Sequence, residues 1–411
     1  MPTPSTSGFA RLAAQAQQAL APQEALQAVA EGAGGLAIIV PKEVELEETR
    51  LALTPDAVAL LISRGHQVTV QAGAGDLAKF SDREFSDAGA QIAYTAEEAY
   101  KAGDVVIKIN PPTLEEIGMI KPGAAVISAL QTSQIGAEFV QAMNARKITG
   151  VAFELLEDEV GNIPVVRAMS EIAGSTVLLI AAEYLSSAHD GRGIILGGIT
   201  GVPPTKVVIL GAGTVGEYAA RTAIGLGAEV KIFDNHLYKL RRIKQELGHL
   251  VFTSTIDVSN LQDALLRADV VIGALRADEG HAPMVVSDEM VSRMKPNSVI
   301  VDVSIDQGGC FETSHITTHS SPVFKKYGVI HFCVPNVPAR VAHTATSALS
   351  NIFAPILLQA DKQGGIEELL FSKDWFMNGV YCYKGALTNK SLARRLNMRY
   401  KDIMLFRMAR I

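Results

Sequence analysis

The chain has 411 residues, room for two to three domains at about 150 residues each, and 48% of them are hydrophobic, enough to fill large cores. A formal net charge of -6 is the small difference between 37 Lys and Arg and 43 Asp and Glu residues; with both signs scattered, no field is left to hold nucleic acid or an anionic membrane. Cys310, Cys333 and Cys382 are too few and too far apart for a disulfide framework or a zinc site. The N-terminus lacks the basic start and unbroken apolar run of a secretory signal, and no run of about 18 uninterrupted apolar residues marks a membrane span. The expectation is a reduced, soluble, cytoplasmic protein with no structural metal.

Residues 1–34 are rich in Ala and Gln and broken by Pro22, which predicts a helical arm ending in a glycine-rich joint. From residue 36 short apolar runs alternate with longer amphipathic stretches. Strands are predicted over 36–40, 67–71, 105–109, 125–129 and 148–153, with helices such as 55–64 and 134–145 between them. Buried strands alternating with helices indicate a parallel sheet covered on both faces. A long helix over 168–188 and a Gly/Pro-rich segment, 191–204, lead into a second series. Its strands are predicted at 206–210, 229–233, 270–274, 298–303 and 329–334 and are followed by a helix over 344–360. The chain end is expected to return to the first sheet. The fold class is therefore α/β with two doubly wound domains, one inserted in the other: an arm, 1–34; a first domain, 35–167 with 343–411; and a second, 168–342.

The strongest motif lies in the second series. The apolar run KVVIL (206–210) is followed by Gly211, Gly213 and Gly216 in the pattern G-x-G-x-x-G, then by a helical run, 215–224. Asp234 ends the next predicted strand, near the ~20-residue spacing of a dinucleotide fingerprint. Each part has a task. Gly211 permits the tight turn, Gly213 lets a pyrophosphate approach bare backbone, and Gly216 lets helix and strand pack closely. The helix N-terminus offers unpaired N–H groups and partial positive charge to phosphates. A carboxylate at Asp234 would accept hydrogen bonds from ribose hydroxyls and repel a 2′-phosphate, so NAD is favoured over NADP. The inserted domain, 168–342, thus reads as a Rossmann NAD-binding domain.

Further segments carry a resemblance: VPKE (40–43), ETRLALTP (48–55), GAG (73–75), MSEIAG (169–174), GGITGVPP (197–204), MKP (294–296), DQGGCFE (306–312) and CVPN (333–336). Over 36–360 the chain resembles the alanine dehydrogenase and transhydrogenase α-subunit family, and around Asp306 it is more similar to the dehydrogenases. The resemblance implies a soluble homo-oligomer, hexamer or dimer, acting with NAD on a small amino or oxo acid. It implies that Arg50 holds the substrate carboxylate, that Asp306 lies near nicotinamide and substrate, and that Ser170 and Asn336 contact the cofactor. A planar guanidinium suits a carboxylate bidentately; the plainer reading of Arg50 is a salt bridge with Glu47 or Glu48.

Two positions depart from the dehydrogenase pattern. The family's catalytic lysine corresponds to Asn110 in KINPP (108–112), and its catalytic histidine to Gln131 in ALQT (129–132). Neither amide exchanges a proton near neutral pH. Transhydrogenase subunits also carry Asn at the first position, yet their nicotinamide-holding Arg-Gln-Asp loop is not recognisable in 161–167. Lys108 lies two residues from Asn110 on a predicted strand, hence on the same face, and is a candidate replacement; His343 is another. Glu154, ending a strand near the domain junction, is a possible cofactor or interface contact. The expected function is NAD-dependent oxidation of a small amino acid, L-alanine to pyruvate and ammonia, with Arg50, Lys108, Asn110, Gln131 and Asp306 at the substrate. The alternatives are a transhydrogenase-like hydride-exchange component and a non-catalytic NAD(H) sensor.

Overall fold

A computed structural model describes residues 35–410 except 46, 133, 159 and 277–280; the arm expected over 1–34 lies outside the described residues. The chain forms strands β1 (Ala37–Val40), β2 (Gln67–Gln71), β3 (Gln91–Ala93), β4 (Val105–Ile107), β5 (Ala125–Ser128) and β6 (Thr149–Ala152). The second series contributes β7 (Lys206–Leu210), β8 (Glu229–Phe233), β9 (Phe252–Ser254), β10 (Val270–Gly273), β11 (Val299–Asp302), β12 (Val323–Lys326) and β13 (Val329–Phe332). The C-terminal segment adds β14 (Val380–Tyr383) and β15 (Ala386–Leu387).

The strands build an 8-stranded sheet, β15-β14-β6-β5-β4-β1-β2-β3, and a 7-stranded sheet, β12-β13-β11-β10-β7-β8-β9. Within each, six strands run parallel. Numbered along the chain, both sets of six read 3-2-1-4-5-6, the doubly wound order whose crevice opens between strands 1 and 4. The first sheet therefore switches direction between β1 and β4, and the second between β7 and β10. Antiparallel strands close one edge of each: β14 pairs with β6, and β12 with β13. The chain end thus returns to the first sheet, as the sequence suggested.

Alternation explains why these strands read as unbroken apolar runs. Ile38 and Val40 pack with Leu349, Phe353 and Leu369 on one face, while Ile39 turns to Phe139 and Tyr381 on the other. Likewise Val207 and Ile209 meet Val177 and Ala181, while Val208 and Leu210 meet Leu261 and Leu265. Each such side chain gains about 1.5–3 kcal/mol from burial. Strands β3, β9 and β12 were not anticipated. They lie at sheet edges with sequences QIA, FTS and VFKK, too short or too polar to show a period.

The helix Pro164–Leu185 starts with proline at its first turn and joins the two series. It and the segment Val337–Gln363 are long and apolar enough to cross a membrane, a test that the unbroken-run criterion did not capture. Their apolar faces, however, are taken up inside: Val177, Leu178 and Ala181 in the core of the second sheet, Leu349 and Phe353 in that of the first. Gly174 lets the first of these helices approach the helix Thr214–Gly225, because a Cβ there would lie 2.5 Å from the Val215 carbonyl oxygen.

Candidate active site

The glycine loop after β7 has the form its spacing implies. Gly211 has φ +114°, and a Cβ on it would lie 2.3 Å from the Ala274 carbonyl oxygen. A Cβ on Gly216 would lie 1.9 Å from the Gly211 carbonyl oxygen, so helix and loop touch backbone to backbone. A Cβ on Gly213 would meet nothing within 4 Å: this glycine leaves space. Gly213 is also the N-cap of the helix Thr214–Gly225 and carries no side-chain acceptor, so the first-turn N–H groups stay available to an anion.

Asp234, at the tip of β8, is buried. Its Oδ2 accepts from the Ala212 N–H at 2.8 Å and its Oδ1 from the His236 N–H at 2.8 Å. Burial alone would raise its pKa, but these N–H donors hold it below the usual carboxylate range, so it stays anionic. Bare backbone for a pyrophosphate and a fixed anion at the neighbouring strand tip fit an unphosphorylated dinucleotide.

A cavity of about 410 Å³ opens beside this loop. Most of its walls come from the carboxyl ends of strands in both sheets. Asn110 follows β4, Gln131 follows β5 and Glu154 follows β6; Ala274 and Arg276 follow β10, Asp306 follows β11 and Asn336 follows β13. Met169, Ser170 and Ala173 supply a wall from the connecting helix, and Val215 one from the start of the dinucleotide-loop helix. Arg50 completes it from the segment after β1.

Glu48 organises the substrate side. Its Oε1 accepts from Arg50 Nε at 2.8 Å, and its Oε2 accepts from Arg50 Nη2 at 2.6 Å, Asn336 Nδ2 at 3.1 Å and Asn110 Nδ2 at 3.3 Å. Burial would raise the Glu48 pKa, but the Arg50 hydrogen bonds and charge bring it below the ordinary value. The salt bridge read for Arg50 is formed with Glu48, and it does not occupy the whole guanidinium. Its Nε/Nη2 edge pairs with Glu48, and the Nη1 edge, 3.5 Å from the Met169 sulfur, remains for a carboxylate. Gln131 Nε2 donates to Asn110 Oδ1 at 2.8 Å, so the two amides form one chain ending on Glu48. Asp306 is open to the cavity, yet the surrounding protein excludes enough water to push its pKa up to about 6, against the pull of Arg50.

Lys108 is not brought to this site. Strand β4 stops at Ile107, the backbone turns, and the face-sharing argument from Asn110 no longer applies. The ammonium is buried, bound to both oxygens of Glu116 at 2.8 and 2.9 Å and 3.9 Å from Glu43, and it does not line the cavity. His343 also lies elsewhere, stacked on Phe80 with Nδ1 3.0 Å from the Ala78 carbonyl oxygen.

Two buried acids carry more than the sequence showed: Glu43 was not singled out there, and Glu48 only as a salt-bridge partner for Arg50. Glu43 accepts from the Ile109 N–H at 2.5 Å and the Asn110 N–H at 3.3 Å, fixing the turn that presents Asn110; burial, opposed by Lys108, raises its pKa to about 7. Glu48 shares an extended segment with Arg50 two residues on, and that spacing was the available signal for its organising role. Cys310 and Cys333 are buried, and burial raises both thiols. Among the described residues no group of three His, Cys, Asp or Glu side chains is gathered to hold a metal.

Comparison with known proteins bears on this geometry. The family models for the N-terminal and C-terminal domains of alanine dehydrogenase/PNT match residues 39–173 and 177–390. The chain belongs to the alanine dehydrogenase/PNT family. The alanine dehydrogenase of Mycolicibacterium smegmatis is 37% identical over 368 residues, covering 89% of this chain and 98% of that protein. That of Bacillus subtilis is 38% identical over 362 residues, covering 88% and 95%. Among solved structures, an L-alanine dehydrogenase superposes with a TM-score of 0.82 at 34% identity over 87% of this chain and 98% of its own. A transhydrogenase from Sinorhizobium meliloti superposes with a TM-score of 0.73 at 26% identity over 86% and 99%. The second sheet, with its glycine loop, is accordingly a Rossmann NAD-binding fold.

Proposed function

We propose that this chain is an NAD-dependent dehydrogenase that interconverts a small 2-amino acid and its 2-oxo acid, L-alanine and pyruvate first among them. The observation that carries the reading is one cavity, walled on one side by the start of the dinucleotide-loop helix and on the other by Arg50 and Asp306. The relatives at 37% and 38% identity, all but complete in their coverage, support alanine as substrate.

Gly211, Gly213, Gly216 and Asp234 would hold the dinucleotide, with Ser170 and Asn336 in the wall beside it. When bound, the cofactor supplies a hydride acceptor. Hydride transfer asks the protein chiefly for positioning and exclusion of water. The free edge of Arg50 grips the carboxylate, and Glu48 prevents the guanidinium from swinging. Asp306, with a pKa near 6, accepts a proton from the substrate ammonium around neutral pH. The amide chain of Gln131 and Asn110 orients the nitrogen or carbonyl oxygen without exchanging protons. The two sheets form two domains, 35–167 with 343–411 and 168–342, that close on the substrate in a homo-oligomer.

Steady-state NADH formation from L-alanine, and NADH consumption with pyruvate and ammonia, test this reading. Turnover in both directions, with NADPH much poorer, is the expected result. NADH binding without turnover of any 2-amino or 2-oxo acid would sink it.

A further inference from the structure

Oxidative deamination consumes a water molecule, and a water attacking an imino carbon must hand a proton to a base. The amides of Asn110 and Gln131 take none, Arg50 keeps its own, and Lys108 is committed to Glu116 outside the cavity. Two carboxyl groups remain in the wall: Asp306, from the second sheet, and Glu154, from the first.

The two oxygens of Glu154 are held differently. Oε1 accepts from the N–H groups of Leu130 at 2.7 Å and Gln131 at 3.2 Å. Oε2 is buried and has no hydrogen-bond partner, a costly arrangement for a polar atom in a folded protein. The turn that aims consecutive N–H groups at Oε1 carries Gln131 at φ +47°, a left-handed conformation rare outside glycine. A strained turn thus anchors one oxygen of a carboxylate that lines the cavity, while the other has no partner inside the wall.

We propose that Glu154 is the base for the hydrolytic half of the reaction, a proposal that rests on the amino-acid dehydrogenase reading above. The water oxygen bonds to the imino carbon, the C=N π pair moves to nitrogen, and the water proton passes to the Glu154 carboxylate. Glu154 then returns that proton to the amino nitrogen. The C–N bond breaks with its pair going to nitrogen, and the remaining hydroxyl proton leaves with the ammonia as ammonium. The oxo acid forms, and Glu154 is again a carboxylate. Burial raises its pKa and the Leu130 and Gln131 N–H groups oppose this. The other ionisable groups around it are the Tyr381 phenol from β14, kept neutral by burial, and Arg50, Asp306 and Arg276 across the cavity.

Rapid mixing of wild type and Glu154→Gln with L-alanine and NAD, followed at the NADH absorbance, separates the two half-reactions. The variant is expected to form one NADH per site at close to the wild-type rate and then turn over about 100-fold more slowly. Its melting temperature and NADH affinity should be unchanged, and Glu154→Asp should recover part of the steady rate. Independently of turnover, infrared difference spectra of the ligand-free proteins during acid titration should show a carboxyl, missing in Glu154→Gln, that protonates above the ordinary glutamate value of about 4.3. Wild-type-like turnover in Glu154→Gln, an equal loss of first turnover and steady rate, or titration in the ordinary range overturns the proposal alone. A wild type that makes no NADH from L-alanine overturns the dehydrogenase reading first and this step with it.

Discussion

Two regions of this molecule share a topology and differ in how they use it. After β7 the second sheet turns a crevice into a binding site with almost no side chains: Gly211 and Gly216 let backbone touch backbone, and Gly213 leaves a gap. Beside β1 and β4 the first sheet fills the equivalent crevice with side chains, Arg50, Asn110 and, through β5 and β6, Gln131 and Glu154. Backbone recognition needs only that nothing be in the way. Side-chain recognition needs each group to be held, and here buried acids do the holding: Glu48 for Arg50 and Asn110, Glu43 for the turn at Asn110, Glu116 for Lys108 behind it.

The contrast can be broken at several points. The largest stability effect is expected from Lys108→Met, which leaves the Glu116 and Glu43 carboxyls buried without their cation and should cost about 3–5 kcal/mol in denaturant unfolding. Pairing it with Glu116→Leu should recover much of the loss. Gly216→Val forces a side chain against the Gly211 carbonyl and should cost about 3 kcal/mol with loss of NADH binding. Arg50→Lys keeps the charge but loses the fork geometry. A drop of about 100-fold in kcat/KM for pyruvate, with NADH affinity intact, is expected in steady-state assays, in keeping with about 1.5–3 kcal/mol for hydrogen bonds to charged groups.

Asp306 gives the comparison a pH axis. Because its pKa is raised to about 6, kcat/KM for L-alanine should fall as pH drops through that value, and Asp306→Asn should be inactive throughout. The same shift acts oppositely on stability. A raised carboxyl stabilises the ligand-free fold below the ordinary Asp range, and that contribution is lost as pH rises through about 6. Asp306→Asn should therefore melt at a higher temperature than wild type above pH 6. The smallest stability effect belongs to Gly213→Ala, with a change within about 0.5 kcal/mol because the new methyl meets open space; fluorescence titration should nevertheless show weaker NADH binding.

The same contrast explains what could be read from the sequence. The glycine loop and Asp234 were legible because their spacing is local and set by one strand, one turn and one helix. Strands β7 and β8 were read to the residue for the same reason. The substrate side was legible only as far as the family resemblance reached: Arg50, Asn110, Gln131 and Asp306 do meet in one cavity, drawn from four separate loops. Lys108 was read toward the cavity because period-two alternation was carried on to Asn110, beyond the end of β4 at Ile107. Glu154 meets Leu130 and Gln131, and Glu48 meets Asn110 and Asn336, across long stretches of sequence, and no local pattern announces such meetings; only the Glu48 pairing with Arg50 was local.

The segment that carries Arg50 is also fastened to the opposite half of the molecule. Glu47 accepts the His319 and Ser320 N–H groups, Asn336 donates to Glu48, and the Thr49 hydroxyl donates to the Ala339 carbonyl. Three consecutive residues are thus stitched to segments just before β12 and just after β13, the last parallel strand of the dinucleotide-binding sheet. Prying the sheets apart would break these bonds, so any such motion also frees the segment that positions Arg50.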